Sequence, residues 1–324
     1  MISSGPYMRK KMYFCEVIRT KAFHMTTNKI VECVPNFSEG RNTEKMEKIT
    51  NCFRGKTGLK LLDYSNDVDH NRMVITAIGA PETIKSAMVE AIGTAVREID
   101  LTKHQGQHPR MGAADVVPFI PVSNMTMDDA INLAKEVAKE AAEKFMLPMY
   151  LYEKAASAPH RENLAEVRKG QFEGLTEKMK NPLWKPDFGP DTPHPTAGAT
   201  IIGARNYLIA YNVNLHSTDL AIAKAIARKV RFIDGGLHFC KAMGVNLQEK
   251  DMVQVSMNLT DFTKTSVYQA FEMVKMEAAR YGVSVAGSEV IGLLPLGVLV
   301  DTANYYLGIE DFTVDRVLEY RMLE

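Results

Sequence analysis

The sequence predicts an α/β (α+β) protein made of two similar subdomains. Its 324 residues suffice for two domains of ordinary size. Strand-like and helix-like patterns recur in the order βαββαβ in both halves of the chain, at an offset of about 180 residues. Five of the 14 prolines lie within 182–195 and interrupt this order. We therefore expect two ferredoxin-like α/β sandwich subdomains, 29–206 and 207–324, with a ligand site in the cleft between them.

The first half begins with apolar and polar residues in alternation, which predicts a strand. Ser38 after this strand and Pro81 later in the chain favour the first turn of a helix. Proline fixes φ and lacks an N–H, so we expect little regular structure in 153–198. The elements predicted in this half are, in order, strand 30–37, helix 43–53, strand 59–64, strand 72–78, helix 81–99, strand 116–122, helix 127–145 and strand 149–152.

The second half repeats the opening pattern of the first. Strand 30–37 ends in Asn36-Phe37-Ser38, and a predicted strand over 207–215 ends in Asn214-Leu215-His216-Ser217. The stretch 282–292 is strand-like with scattered glycines, which we interpret as core packing. The elements predicted in this half are strand 207–215, a helix from about 218 to 232, strand 252–259, helix 265–281 and a final strand 283–291.

Composition excludes several classes of function. Lys+Arg and Asp+Glu are both 39, so the formal net charge is zero and no global basic field attracts nucleic acid or anionic lipid. Four cysteines without a CxxC pair are typical of an intracellular protein with reduced thiols. The longest apolar stretch, Val290–Val300, is too short to span a bilayer. We therefore expect a cytoplasmic protein without a nucleic-acid or membrane partner.

Residues 1–28 differ from the rest of the chain. They carry five Lys or Arg residues against the single acid Glu16, and they have no apolar core typical of a secretory signal. We expect a disordered or non-native extension, or an upstream start with Met25 as the working initiator. A basic transit peptide is the alternative.

The loop 103–112 is the densest candidate for chemistry. It contains His104, His108 and Arg110 between glycines and a proline. Histidine titrates near neutral pH and can take and return a proton in one cycle, whereas the arginine fork suits a carboxylate. A histidine that only hydrogen-bonds the loop is the alternative. A zinc site of His104, His108 and Asp115 is less favoured, because Gly106 and Pro109 oppose the helix that would align the imidazoles.

Two further segments are candidates. The stretch 63–72 is an acid-rich turn that lacks the glycine and distal glutamate of a calcium loop. It is either a solvated connection or a place where Arg72 meets a substrate carboxylate and an aspartate meets an ammonium. The Pro/Gly segment 187–198 is either a linker or a surface of small and aromatic residues that could lie flat on a heterocycle.

Several of these motifs together resemble the formiminotransferase family. Val31-Glu32-Cys33-Val34-Pro35-Asn36-Phe37-Ser38-Glu39-Gly40 is similar to the opening of glutamate formiminotransferases and of the front part of formiminotransferase-cyclodeaminase. The segments that resemble the family further along are His108-Pro109-Arg110-Met111-Gly112-Ala113, 184–198, Gln254-Val255-Ser256-Met257-Asn258-Leu259 and Gly292-Leu293-Leu294-Pro295-Leu296.

The resemblance implies a transfer of the formimino group between N-formimino-L-glutamate and tetrahydrofolate, in histidine degradation. It implies that His108 is the general acid–base and that tetrahydrofolate is a co-substrate, with no metal. The folate-binding run falls on Gly189, Pro190, Asp191, Thr192, Pro193, His194, Pro195, Thr196, Ala197 and Gly198. We expect Arg110, Arg72 and His104 to contact the substrate.

Two other functional hypotheses are compatible with the same residues. A folate-dependent formyltransferase or a metal amidohydrolase is a second enzymatic hypothesis. A catalytically silent folate-binding protein on the same fold is the rival from another class. The chain lacks the cyclodeaminase part, so we expect transfer without further processing. A homodimer is the expected assembly.

Overall fold

A computed structural model of the chain describes residues 29–106, 108–247 and 250–322. These residues divide into two compact units, 29–207 and 208–322. The expected extension 1–28 lies outside the described residues. No helix among the described residues is both long and apolar enough to cross a membrane.

The N-terminal unit is built on one mixed sheet. Its strands are β1 (Ile30–Cys33), β2 (Asn36–Phe37), β3 (Leu59–Asp67), β4 (Arg72–Gly79), β5 (Ala114–Ser123), β6 (Met149–Glu153) and β7 (Thr200–Ala204). β1 and β2 are two parts of one interrupted strand, since both lie between β4 and β5. The order across the sheet is therefore β3, β4, β1/β2, β5, β7, β6, with β5, β7 and β6 parallel to one another.

Three helices cover one face of this sheet. They are α1 (Thr43–Asn51), α2 (Pro81–Glu98) and α3 (Met127–Phe145), and the predictions of all three are confirmed. Pro81 stands at the first turn of α2 as expected. Thr126 and Asp129 form a capping box at the start of α3. The buried faces of these helices pack on β1, β4 and β5 to form the main core.

The stretch 153–198 contains more regular structure than its prolines suggested. It includes the short helices α4 (Leu164–Arg168) and α5 (Leu175–Met179) and single 3₁₀ turns at Pro159–Arg161 and Pro182–Trp184. Val167, Leu175 and Met179 pack in a second apolar cluster with Tyr150 and Ile201 of the sheet. These side chains explain why the segment adopts a defined path despite its prolines.

The C-terminal unit has a four-stranded antiparallel sheet. Its elements are β8 (Ile209–Leu215), α6 (Leu220–Val230), β9 (Cys240–Leu247), β10 (Met252–Leu259), α7 (Val267–Ala279), β11 (Val285–Ile291), α8 (Leu296–Leu307) and α9 (Leu318–Arg321). The order across the sheet is β11, β8, β10, β9. The interpretation of 282–292 as core packing is wrong, because β11 lies at the sheet edge and its residues are half-buried or exposed.

Both units contain the predicted βαββαβ order. In the N-terminal unit the four strands of this repeat are arranged β5, β1/β2, β4, β3, and in the C-terminal unit they are arranged β11, β8, β10, β9. In both, the first strand lies between the third and the fourth. The N-terminal unit then adds β7 and β6 beside β5.

Candidate active site

The loop before β5 carries His108 and is hydrogen-bonded at both ends to the segment that precedes β7. At one end, Leu101 N–H donates to the carbonyl of Thr196 at 2.8 Å. At the other end, Ala113 N–H donates to the carbonyl of Ala197 at 2.9 Å, and Ala199 N–H donates to that of Met111 at 3.2 Å. The structure therefore brings the predicted histidine loop and the end of the predicted folate run together.

The segment 189–198 ends in a tight hairpin. Residues His194 and Gly198 exchange two backbone hydrogen bonds of 2.9 Å, and the ring Nδ1 of His194 accepts the N–H of Ala197 at 3.0 Å. Partial burial lowers the pKa of His194, which agrees with a neutral ring that accepts these bonds. Most residues before this hairpin are exposed or half-buried, whereas Ala197 and Gly198 are buried. The residues before the hairpin are thus accessible, and the hydrogen bonds of the hairpin hold the end of the run in place.

His104 has both ring nitrogens engaged. Arg110 Nε–H donates to its Nδ1 at 3.1 Å, so the proton of the neutral ring lies on Nε2, which donates to the carbonyl of Asn71 at 2.9 Å. The side chain of Asn71, in the turn between β3 and β4, accepts the N–H of Gly40 and donates to the carbonyl of Gln105. Burial lowers the pKa of His104. Its observed role is to hold the loop against the turn between β3 and β4, and the prediction that it contacts substrate stays a prediction.

Arg110 is buried and uses all five of its N–H donors within the protein. Besides His104 Nδ1, it bonds the His104 carbonyl, Gln171 Oε1 and both carboxylate oxygens of Glu173, the latter at 2.6 and 2.9 Å. Glu173 therefore occupies the fork that was predicted to hold a substrate carboxylate. A substrate would have to displace Glu173 to bind there, so the contacts favour a positioning role for Arg110.

His108 is buried, with 8% of its surface exposed. Its pKa is lowered to about 3, first by burial and then by the positive charges of Arg168 and Arg72. Burial therefore has the largest effect on the ring, and the two arginines add to it. The ring is neutral at physiological pH and can accept a proton from a bound substrate.

Two arginines whose charges act on His108 differ from Arg110. Arg168, from α4, donates from one terminal nitrogen to Asp115 Oδ2 at 2.6 Å, and Asp115 Oδ1 also accepts the N–H of Met111 at 2.7 Å. Arg72, at the start of β4, is half-buried, and its burial lowers the pKa of its guanidinium. Among the described residues, the buried Nε atoms of Arg72 and Arg168 have no hydrogen-bond partner.

The metal hypotheses receive no support from these contacts. His104 already bonds Arg110 and Asn71, and Asp115 bonds Arg168 and Met111. Within residues 29–106, 108–247 and 250–322 no group of three or more His, Cys, Asp or Glu side chains is placed to hold a metal ion. The stretch 63–72 is not a turn along its whole length, because Asp63–Asp67 belongs to β3 and pairs with β4.

Sequence reasoning missed Arg168, Gln171 and Glu173. They lie about 60 residues after the histidine loop, and only the fold brings them beside it. The local signal was the polar, glycine-bounded stretch Arg168-Lys169-Gly170-Gln171-Phe172-Glu173-Gly174. Loops of this composition on a rigid scaffold often carry function.

Comparison with known proteins identifies the family of this chain. The sequence matches the formiminotransferase domain, N-terminal subdomain, over residues 30–205 and the formiminotransferase domain over residues 210–320. It is 47% identical over 296 residues to the glutamate formimidoyltransferase of Streptococcus pyogenes serotype M1, which covers 91% of this chain and 99% of that protein.

Two other relatives place the match in context. The glutamate formimidoyltransferase of Thermoplasma acidophilum is 45% identical, over 90% of this chain and 97% of that protein. The formimidoyltransferase-cyclodeaminase of Mus musculus is 42% identical, over 89% of this chain but only 54% of its own length. This chain therefore belongs to the formiminotransferase family.

Proposed function

We propose that this chain is a glutamate formimidoyltransferase, which transfers the formimino group between N-formimino-L-glutamate and tetrahydrofolate. Its near full-length similarity to proteins of that name supports the activity. One structural observation carries the proposal: the loop of His108 is hydrogen-bonded to residues 196–199, at the end of the run that resembles a folate site. Histidine degradation is the process in which such a transfer belongs.

The chemistry needs a group that moves protons between nitrogens. The secondary amine N5 of tetrahydrofolate attacks the formimino carbon and forms a tetrahedral intermediate that carries three nitrogens. N5 then loses a proton, the nitrogen of glutamate gains one, and its bond to carbon breaks to release L-glutamate. His108 takes the first proton and supplies the second, so the histidine is unchanged over the cycle.

The environment of His108 suits the first of these steps. A neutral imidazole is ready to act as a base, and its low basicity makes the return of the proton to the leaving nitrogen favourable. Because the charges of Arg168 and Arg72 lower the pKa of His108, a bound carboxylate would oppose their effect and raise this pKa toward neutrality. Substrate binding would in this way adjust the ring for both steps.

The other predicted residues have separate roles in this proposal. Residues 189–198 hold the pterin of tetrahydrofolate, and Arg72 faces a carboxylate of the substrate. His104 and Arg110 keep the loop in place through their mutual hydrogen bond of 3.1 Å. No metal takes part, the enzyme acts in the cytoplasm, and the expected assembly is a homodimer.

Replacing His108 tests the mechanism. We expect His108→Ala to lower kcat by roughly 10²–10⁴-fold, the usual contribution of general acid–base catalysis. The measurement is absorbance detection of 5-formiminotetrahydrofolate, and isothermal titration should show that both substrates still bind. The control is His216→Gln, since His216 is an exposed histidine of the C-terminal unit.

Two results would argue against the mechanism or the function. If His108→Ala keeps kcat within threefold of the wild type, His108 is not the proton-transfer group. If the wild-type chain binds tetrahydrofolate but forms no product, the silent folate-binding hypothesis replaces the enzyme.

A further inference from the structure

Two guanidinium groups whose charges act on His108 have unused hydrogen-bonding capacity. The buried Nε atoms of Arg72 and Arg168 have no partner among the described residues. Only 13% of the Arg168 side chain is exposed. A buried donor without a partner costs free energy, and more so when the group is charged. Such donors are expected where a ligand supplies the missing acceptor.

The two arginines lie in one electrostatic environment. Each contributes to the low pKa of His108, and the charge of Arg168 adds to burial in lowering the pKa of Arg72. Asp115 forms an ion pair with Arg168, and Asp67 and Asp115 both favour the charged form of Arg72. Like charges that act on each other in a partly desolvated position favour binding of an anion nearby.

Asp115 gives Arg168 a fixed position relative to the loop. Its side chain is only 1% exposed, and it accepts both a terminal N–H of Arg168 and the backbone N–H of Met111. Met111 is three residues after His108, so one carboxylate ties the arginine and the histidine loop together. The Nε–H of Arg168 has no partner among the described residues, so a ligand could accept it without breaking this contact.

We propose that Arg72 and Arg168 form a carboxylate site beside His108, with Asp115 as its positioning residue. The inference rests on the proposed function, and there the ligand is the α-carboxylate of formiminoglutamate and of glutamate. In these molecules the α-carboxylate and the reacting nitrogen are attached to the same carbon. An α-carboxylate held by the two arginines therefore places the reacting nitrogen near the ring of His108.

This site differs from the Arg110 fork, where Glu173 already provides both carboxylate oxygens. It also explains how the positive charges near His108 can be compatible with proton transfer. Asp115 and Asp67 offset part of this positive charge, and a bound substrate carboxylate would offset more of it. The site thus couples binding of the anion to the basicity of the catalytic ring.

The test measures binding of L-glutamate to the full chain by isothermal titration calorimetry. We expect Arg168→Gln and Arg72→Gln to raise the Kd for glutamate by roughly 10–100-fold, the effect of losing one charge-assisted contact. The affinity for tetrahydrofolate should stay within twofold. Lys169→Gln is the matched control, since Lys169 is the exposed cation next to Arg168, and it should leave both affinities unchanged.

Two further variants separate geometry from charge. Arg168→Lys keeps the charge and loses the planar fork, so it should recover only part of the affinity. Asp115→Asn should raise KM for formiminoglutamate with little change in KM for tetrahydrofolate, which a general loss of folding would not produce. The histidine ring of His108, followed by NMR against pH, should titrate at higher pH in Arg168→Gln, with Arg72, His70 and His104 still present.

The outcomes distinguish the two proposals. Wild-type transfer activity with unchanged glutamate affinity in both arginine variants would overturn the carboxylate site and leave the function standing. Arginine-dependent glutamate binding without any transfer would support the site and overturn the enzymatic function. A wild-type chain that neither binds glutamate nor transfers the group would overturn both.

Discussion

At the scale of single residues, the protonation state of His108 depends on side chains far away in the sequence. Its loop could be predicted, because histidines, cations, glycines and a proline are concentrated in ten residues. Arg168 could not be predicted, since about 60 residues separate it from His108 and no local spacing links them. Glu173 was missed for the same reason, and its ion pair changes the expected role of Arg110 from binding to positioning.

A second buried group, Glu32, has an energetic consequence outside the active site. It is 5% exposed, and its Oε2 has no hydrogen-bond partner among the described residues. Burial raises the pKa of this carboxyl to about 7, against an opposing effect of Arg205. Between pH 4.5 and 7 the unfolded chain releases this proton while the folded chain keeps it. The free energy of unfolding should therefore fall as the pH rises through this window.

Glu32→Gln should remove this pH-dependent loss. The free energy of unfolding of the variant should rise relative to that of the wild type as the pH increases from 4.5 to 8, by at most about 3 kcal/mol. The reason is that a neutral amide has no charge to desolvate. Urea unfolding of the wild type and the variant at each end of this pH range measures the difference in their free energies of unfolding. Glu44→Gln is the control, since Glu44 is an exposed carboxylate of α1. Parallel pH dependences of the wild type and Glu32→Gln would contradict the prediction.

At the scale of elements, long patterned segments were predicted better than short buried ones. The helices at 81–98 and 127–145 have clear apolar periodicity and favourable first turns, so their bounds agree closely. β7 was missed because its five residues lie between two parallel strands and are buried on both faces, which leaves no alternation to detect. The βαββαβ order implied a strand before β10, but the range of β9 was not predicted, because Gly244 and exposed Met243 obscure its alternation.

The C-terminal segment shows a different difficulty. The apolar run before residue 300 was noted only as too short for a membrane span, yet Leu296–Leu307 forms the helix α8 directly after Pro295. Apolar periodicity alone does not separate a short buried strand from a helix. The proline marked the boundary, since its fixed φ is compatible with the position just before a helix.

The hairpin 194–198 is an element whose geometry depends on one glycine. Gly198 has φ +68°, and a Cβ added there would lie 2.2 Å from the carbonyl oxygen of Met111, in the histidine loop. A backbone atom cannot move away as a flexible side chain can. We expect Gly198→Ala to displace the loop, to lower the thermal unfolding temperature and to weaken tetrahydrofolate binding.

A matched glycine isolates the effect of this contact. Gly282 has φ +67°, but a Cβ there would meet nothing within 4 Å. Gly282→Ala therefore carries only the cost of the left-handed backbone, of order 1 kcal/mol. Calorimetry and folate titration on both variants should show a larger loss for Gly198→Ala. Equal losses in the two variants would mean that the approach to Met111 is unimportant.

At the scale of the whole molecule, the repeated βαββαβ order was the most informative feature of the sequence. It predicted two sheets, and both sheets place the first strand of the repeat between the third and the fourth. The sequence predicted β6 as a strand, but it revealed neither β7 nor the extension of the N-terminal sheet by these two strands. β7 begins at Thr200, two residues after the end of the predicted folate run.

The extent of the family match leads to a prediction about the N-terminal residues. The match to the family begins at residue 30, and the streptococcal relative aligns over 296 residues with 99% of its own length. The residues common to these proteins therefore include all the side chains assigned to the site. We expect a chain that starts at Met25 to keep its kcat and both KM values within about twofold of the full chain, since it retains all of these side chains.

Steady-state kinetics on both chains, with circular dichroism to confirm folding, makes the comparison. A folded Met25 chain with a raised KM for one substrate would show that residues 1–24 contribute to that binding site. Equal kinetics would place the complete catalytic apparatus within 25–324. The contacts of His104, Arg110, Asp115 and Arg168 support this second result, because the hydrogen-bond partners that the described residues provide for these four side chains lie between residues 71 and 173.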